Sequence, residues 1–185
     1  MKSCGSDRMI EIETKIIDID KDGLIAKLEK DGAEFIGKTL QKRWVFALEK
    51  AEGEDRFIRV RTDGKTATVT YKHRAGGGLA NTEELETAVE DFDTAAKIFE
   101  KVLGDGLYQE NIRYTYVYKN AEVTINEWPK LRPVVEVEAK SEEEVRAAIS
   151  EIGIVGKELG NISWEKVYAM HGMDLKSFKT LKFDE

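Results

Sequence analysis

The chain has 185 residues, 41% of them hydrophobic and 35% charged, with a formal net charge of -7. That length and mixture suit one globular domain with a real core. The acidic balance argues against a general nucleic-acid binder, which carries a basic balance or stripe, and the single cysteine, Cys4, cannot form an internal disulfide. A cytoplasmic protein without membrane contact is the expectation, since one cysteine fits a reducing compartment and no apolar run approaches the roughly 20 residues that span a bilayer. The polar first nine residues do not make a signal peptide. Residues 1–8 are expected to be disordered or a cloning remnant, and 9–185 to form a single domain.

In chain order, Met9–Ile17 alternates apolar and charged residues and predicts a first strand. Leu24, Leu28 and Phe35 mark a first helix, with Asp20 or Asp22 as its cap and Gly32 as its stop. Gln41–Leu48, Phe57–Thr62 and Ala67–Arg74 read as strands, the last two joined by the hairpin turn Asp63-Gly64. Gly76, Gly77 and Gly78 read as a flexible connection before a strand at Glu83–Ala88. Asp91–Leu103 reads as a helix with Ala95, Ile98, Phe99 and Val102 on one face. Strands follow at Glu110–Tyr118, Ala121–Asn126 and Val134–Ala139. Ser141 and Glu144 form a capping box for a helix running to Ile152, and a last helical stretch holds Trp164, Val167 and Tyr168. Eight strands joined mostly by short turns, with helices at intervals, predict an α+β fold. Its expected form is an eight-stranded antiparallel barrel with helices packed outside and room for one small ligand.

Two motifs lead nowhere. Gly32–Thr39 matches the P-loop pattern letter by letter, but a helix precedes it and a strand follows, which reverses the required order. His73 and His171 are too few and too far apart for a histidine-rich zinc site, and His171 beside Gly172 reads as a helix-end residue.

The alternating charges carry the chemistry. Glu11, Glu13 and Lys15 share one face of the first strand, Glu136 and Glu138 one face of a later strand, and Arg59 and Arg61 flank Val60. The basic residues that would point inward are Lys15, Arg43, Arg59, Arg61, Lys72, Arg74 and Arg113. The acidic ones are Glu11, Glu13, Glu84, Glu86, Glu136 and Glu138. Gathered inside a barrel they would be costly without partners. A polyphosphate with a divalent cation would satisfy both sets, because Arg and Lys bind phosphate oxygens and Mg²⁺ takes one or two carboxylates plus phosphates and water. A network of charge pairs alone is the rival.

The ordered set of motifs resembles the CYTH superfamily, or triphosphate tunnel metalloenzymes. It comprises Glu11-Ile-Glu13-Thr-Lys15, Arg59-Val-Arg61, Thr70-Tyr-Lys72, Glu84-Leu-Glu86, Arg113 and Glu136-Val-Glu138. The resemblance implies a tunnel that takes a small-molecule triphosphate, such as tripolyphosphate, ATP or thiamine triphosphate, with Mg²⁺ or Mn²⁺. It implies metal ligands among Glu11, Glu13, Glu84, Glu86, Asn126, Glu136 and Glu138. It casts Glu11, Glu13 and Lys15 as catalytic, and Lys15, Arg43, Arg59, Arg61, Lys72, Arg74 and Arg113 as substrate-binding. The chain departs from the family at Asn126, where many members have Asp, and at Arg43, where many have an acid after the residue matching Gln41. The expected activity is triphosphate hydrolysis. The alternatives are a class IV-type adenylyl cyclase and a non-catalytic polyphosphate or nucleotide binder. A homodimer is left open.

Overall fold

The computed structural model describes residues 12–49, 51, 54–74 and 82–184. Glu11 and the three glycines at 76–78 lie outside the described residues. In chain order the elements are β1 (Ile12–Ile17), α1 (Lys21–Lys30), β2 (Glu34–Ala47), β3 (Asp55–Thr62), β4 (Ala67–Arg74), β5 (Thr82–Val89) and α2 (Phe92–Leu103). There follow β6 (Leu107–Tyr118), β7 (Ala121–Glu127), β8 (Val134–Ala139), α3 (Glu142–Ile152), β9 (Lys157–Gly160), α4 (Trp164–Met170), a 3₁₀ turn (Leu175–Ser177) and β10 (Thr180–Leu181). No helix among the described residues is long and apolar enough to cross a membrane.

Local chemistry explains the boundaries. Asp20, Asp91 and Ser141 each accept a hydrogen bond from a first-turn backbone N–H of α1, α2 and α3, satisfying a donor the helix cannot pair itself. The chain leaves α1 through Gly32 at a φ of 79°, a left-handed conformation that suits glycine. The β3–β4 hairpin turns at Asp63-Gly64, where Asp63 Oδ1 accepts from the backbone of Lys65 and Thr66.

Three expectations need correction. Phe35 is not part of α1: β2 begins at Glu34 and runs 14 residues, far longer than the stretch Gln41–Leu48, and the P-loop-like segment is a turn followed by strand. On α2, Ala95 and Phe99 pack on the sheet, but Ile98 and Val102 face outward and Val102 is 73% exposed. The strands form one sheet of ten rather than a closed barrel of eight, in the order β5-β4-β3-β2-β6-β7-β8-β1-β9, with β10 added to β6 in parallel. No ladder joins the two ends among the described residues. The second edge of β1 is paired by β9 along Lys15–Ile17, with a bulge between Lys15 and Ile16.

The sheet nevertheless curls. Its outer face on β1, β6, β7 and β8 presents Ile16, Tyr116, Val123, Ile125, Val135 and Val137, which pack against Leu24 and Leu28 of α1 and Val145, Ala148 and Ile152 of α3. A second cluster puts Ala95, Phe92 and Phe99 of α2 on Phe46 and Val60. At one end, Val167 of α4 packs on Ile17 and Val134. These two share the strand face of Lys15 and Glu136, so α4 closes that end of the inner face.

Candidate functional site

The inner face encloses a cavity of about 700 Å³ that draws its lining from both ends of the sheet. Period-two geometry puts Glu13 and Lys15 of β1 inward, with Glu122 and Thr124 of β7 and Glu136 and Glu138 of β8. Antiparallel register then aligns Glu122, Glu138 and Glu13 in one row and Thr124, Glu136 and Lys15 in the next. Opposite them, β3, β4 and β5 align Arg59 with Thr70 and Glu86, and Phe57 with Lys72 and Glu84.

On the β1–β8 side the charges are closely bonded. Lys15, 2% exposed, donates to Glu13 Oε1 and to Glu136 Oε1, both at 3.0 Å. Glu136 Oε2 accepts from Arg113 Nη2 at 2.8 Å and from Asn126 Nδ2 at 2.9 Å. Asn126 Oδ1 accepts from Arg113 Nε at 2.8 Å and from Asn111 Nδ2 at 3.2 Å. Burial works against the charged form of Glu136, yet Lys15 and Arg113 outweigh it and hold the carboxyl down at about 2. Burial likewise opposes the charge on Lys15, but Glu136 and Glu13 raise its pKa above the ordinary value.

On the β3–β5 side the pairs are looser. Arg59 lies 3.4 Å from Glu84 and 3.6 Å from Glu86, and Arg61 lies 3.6 Å from Glu86. The closest pair there is Lys72 with Glu84, at 2.9 Å. Burial and the neighbouring Arg61 bring the Arg59 guanidinium down to about 10. Burial opposes ionisation of Glu84, but Lys72 and Arg59 keep its pKa below the usual range.

The cavity thus gathers Glu13, Lys15, Arg43, Arg59, Arg61, Lys72, Glu84, Glu86, Arg113, Glu136 and Glu138. Asn126 sits behind Arg113, bonded within the network through both its oxygen and its nitrogen. Arg74 ends β4 in register with Asp55 and Thr82. His171 caps α4, its Nδ1 lying 2.9 Å from the Val167 carbonyl. Reasoning from sequence missed Glu122, although it alternates with Val123 as Glu136 does with Val137. It also missed the backing rings. Trp164 lies 5.7 Å from Lys15 Nζ, Trp128 lies 4.7 Å from the Arg43 guanidinium, and the two indoles are 4.5 Å apart.

An antiparallel α+β sheet curled around cations and carboxylates defines a class of protein suited to a multiply charged anion. The chain belongs to the CYTH domain family, whose model matches residues 9–161. A Methanocaldococcus jannaschii protein that carries the provisional name of an adenylate cyclase is 30% identical over 137 residues, covering 70% of this chain and 77% of that protein. A solved structure of a Pyrococcus horikoshii OT3 protein superimposes with a TM-score of 0.68 at 21% identity, covering 78% of this chain and 91% of that one. A Hippeastrum protein, provisionally named an adenylyl cyclase and described as having a dominant triphosphatase activity, superimposes with a TM-score of 0.57 at 14% identity. It covers 90% of this chain and 98% of its own.

Proposed function

We propose that the protein is a divalent-metal-dependent enzyme acting on a triphosphate, most simply a phosphohydrolase. The observation that carries this reading is the single cavity in which Lys15, Arg59, Arg61, Lys72 and Arg113 face Glu13, Glu136 and Glu138. The dominant triphosphatase activity described for the Hippeastrum protein is consistent with it.

In this reading the inner face of the sheet serves as a triphosphate tunnel. The donor set suits a hard cation, being all oxygen, with Glu13 and Glu138 directly opposite across β1 and β8. Among the described residues no group of three or more His, Cys, Asp and Glu is placed to hold a metal ion; an Mg²⁺ or Mn²⁺ ion held by one or two carboxylates would take its remaining ligands from substrate phosphates and water. Glu11, Glu13, Glu136 and Glu138 are the residues that would hold the ion. A bound divalent cation supplies charge neutralisation at the phosphates. The chain's own part is positioning and electrostatic stabilisation. Arg59, Arg61, Lys72 and Arg113 grip phosphate oxygens and orient the phosphoryl group, and Lys15, fixed between two carboxylates, stabilises charge as it shifts toward the leaving oxygen.

The test is product analysis with tripolyphosphate and with ATP, each with Mg²⁺ and with Mn²⁺. Release of phosphate or pyrophosphate that Glu13→Gln and Lys15→Ala both abolish is the expected result. Wild-type rates in either folded variant, or no product from any triphosphate, would overturn it. The provisional name of the Methanocaldococcus relative favours a second reading, cyclisation of ATP, and cyclic AMP among the products would establish that one.

A further inference from the structure

The cavity changes character along its length. On β2 the residues that line it run from Arg43 to Val45 and Ala47, on β3 from Arg61 and Arg59 to Phe57, and on β6 from Arg113 and Gln109 to Leu107. Register sets the apolar ends side by side, Val45 against Leu107 and Ala47 against Phe57. The stretch 163–181 closes over this end. Trp164 at the start of α4, Leu175 in the 3₁₀ turn and Phe178 just before β10 all line the cavity. Leu175 is buried in a cluster that also takes in Leu107, Trp164 and Phe178. The stretch is held in place by the Tyr108 N–H, which donates to the Lys179 carbonyl at 3.2 Å, and by Lys176 Nζ, which donates to Glu165 Oε1 at 2.8 Å. Yet Val45, Phe57, Leu107, Trp164 and Phe178 are only half-buried, so their apolar surfaces face the cavity without filling it. Trp164, Leu175 and Phe178 lie beyond residue 161, where the match to the CYTH domain ends, so this wall is built by a part of the chain that the match does not cover.

We propose that this apolar end is a subsite for an aromatic group carried by the triphosphate, so that the ligand is an organic triphosphate ester and not inorganic tripolyphosphate. The proposal rests on reading the cavity as a triphosphate site and adds which kind of triphosphate it selects. Inorganic tripolyphosphate is charged at both ends, and a phosphate pushed against Val45, Phe57 and Phe178 would lose its water without gaining partners. An aromatic ester keeps its phosphates among the cations and buries its ring in the apolar end, where it packs on Phe57, Phe178 and Trp164. Phe57 stands two residues from Arg59, about 7 Å along β3, so the ring and the phosphate next to it are held at once. The cavity volume of about 700 Å³ is in the range that encloses a whole drug-sized organic molecule.

The experiment compares phenyl triphosphate, methyl triphosphate and tripolyphosphate on the full chain with Mg²⁺. Binding is read by rapid mixing as the change in tryptophan emission, and turnover is measured in parallel. Phenyl triphosphate is expected to bind about tenfold or more tightly than either of the others. Methyl triphosphate controls for the charge that esterification removes, so equal affinity for the two esters overturns the proposal. Equal affinity for phenyl triphosphate and tripolyphosphate does the same. Phe57→Ser and Phe178→Ser are each expected to shrink the phenyl preference to about threefold or less. Val45→Thr, which adds a hydroxyl at nearly constant shape, is expected to lower the preference as well and carries the comparison if neither Phe variant folds. Folded variants that keep the wild-type preference overturn the proposal. The two readings fail separately. Turnover of all three compounds without a phenyl preference keeps the triphosphatase and sinks the subsite. A phenyl preference that is lost with Phe57, but no turnover of any of the three, does the reverse.

Discussion

The two sides of the cavity hold the same residue types in different states. On β1, β6, β7 and β8, Lys15, Glu13, Glu136, Arg113 and Asn126 form one connected network with bonds of 2.8 to 3.0 Å. On β3, β4 and β5, Arg59 and Arg61 stand 3.4 to 3.6 Å from Glu84 and Glu86. The first side is backed by the largest core, with α1 and α3 laid over the strands. The second is backed by α2, and its sheet ends at β5. Short charge-assisted bonds in a desolvated place fix side chains in advance, whereas longer pairs give up less when they exchange partners. The tight side is built to hold its geometry, and the loose side to trade its carboxylates for a ligand's oxygens.

Removing the centre of the tight side should have the largest effect. Lys15→Met leaves Glu13 and Glu136 facing each other without their cation. We expect triphosphate turnover to vanish and stability in urea to fall by about 3 kcal/mol, the cost of breaking a buried pair. A variant as stable as wild type would erase the distinction between the two sides.

Asn126→Asp should come next. The amide both donates to Glu136 and accepts from Arg113 and Asn111, and a carboxylate loses the donors and sets a like charge beside Glu136. We expect a loss of about 2 kcal/mol and a change in pH dependence whose sign is fixed. The folded-state pKa of Glu136 is depressed from 4.5 to about 2. Its contribution to stability is therefore present above pH 4.5 and lost as the pH falls toward 2. A neighbouring carboxylate raises that folded pKa, so the acid unfolding midpoint of Asn126→Asp should move to higher pH. An unchanged midpoint would mean that Glu136 does not sense position 126.

The loose side should show the smaller structural effect and the larger effect on substrate. Arg59→Ala is expected to cost less stability than Lys15→Met and to raise KM for a triphosphate about tenfold or more. The reverse pattern would make Arg59 a structural residue. Ile125→Val, on the outer face beneath the helices, should cost about 1 kcal/mol and leave the kinetics alone, separating core packing from cavity chemistry.

Much of this was legible in the chain. Alternation in Glu13-Thr-Lys15, Arg59-Val-Arg61 and Glu136-Val-Glu138 assigns faces because the side-chain period of a strand is two, whatever surrounds it. Helix ends were readable from Asp20, Asp91 and Ser141 because caps are local hydrogen bonds. The start of β2 at Glu34 was hidden because Phe35 and Ile36 fit a helical stripe as well as a strand. The short strands β9 and β10 carry too few residues for a period to register, and their partners are distant in the chain.

The sequence by itself determined which residues face together along each strand, where most helices begin, and that charges of both signs meet on one side of a sheet. Only the tertiary structure decided which strands are neighbours, that β9 pairs with β1 and no ladder closes the sheet among the described residues, and that Glu136 is bonded by two cations while Arg43 bonds neutral Gln41 and Asn111. The physical reason is range. Alternation and capping act within a few residues, whereas pairing and desolvation depend on contacts between segments more than a hundred residues apart.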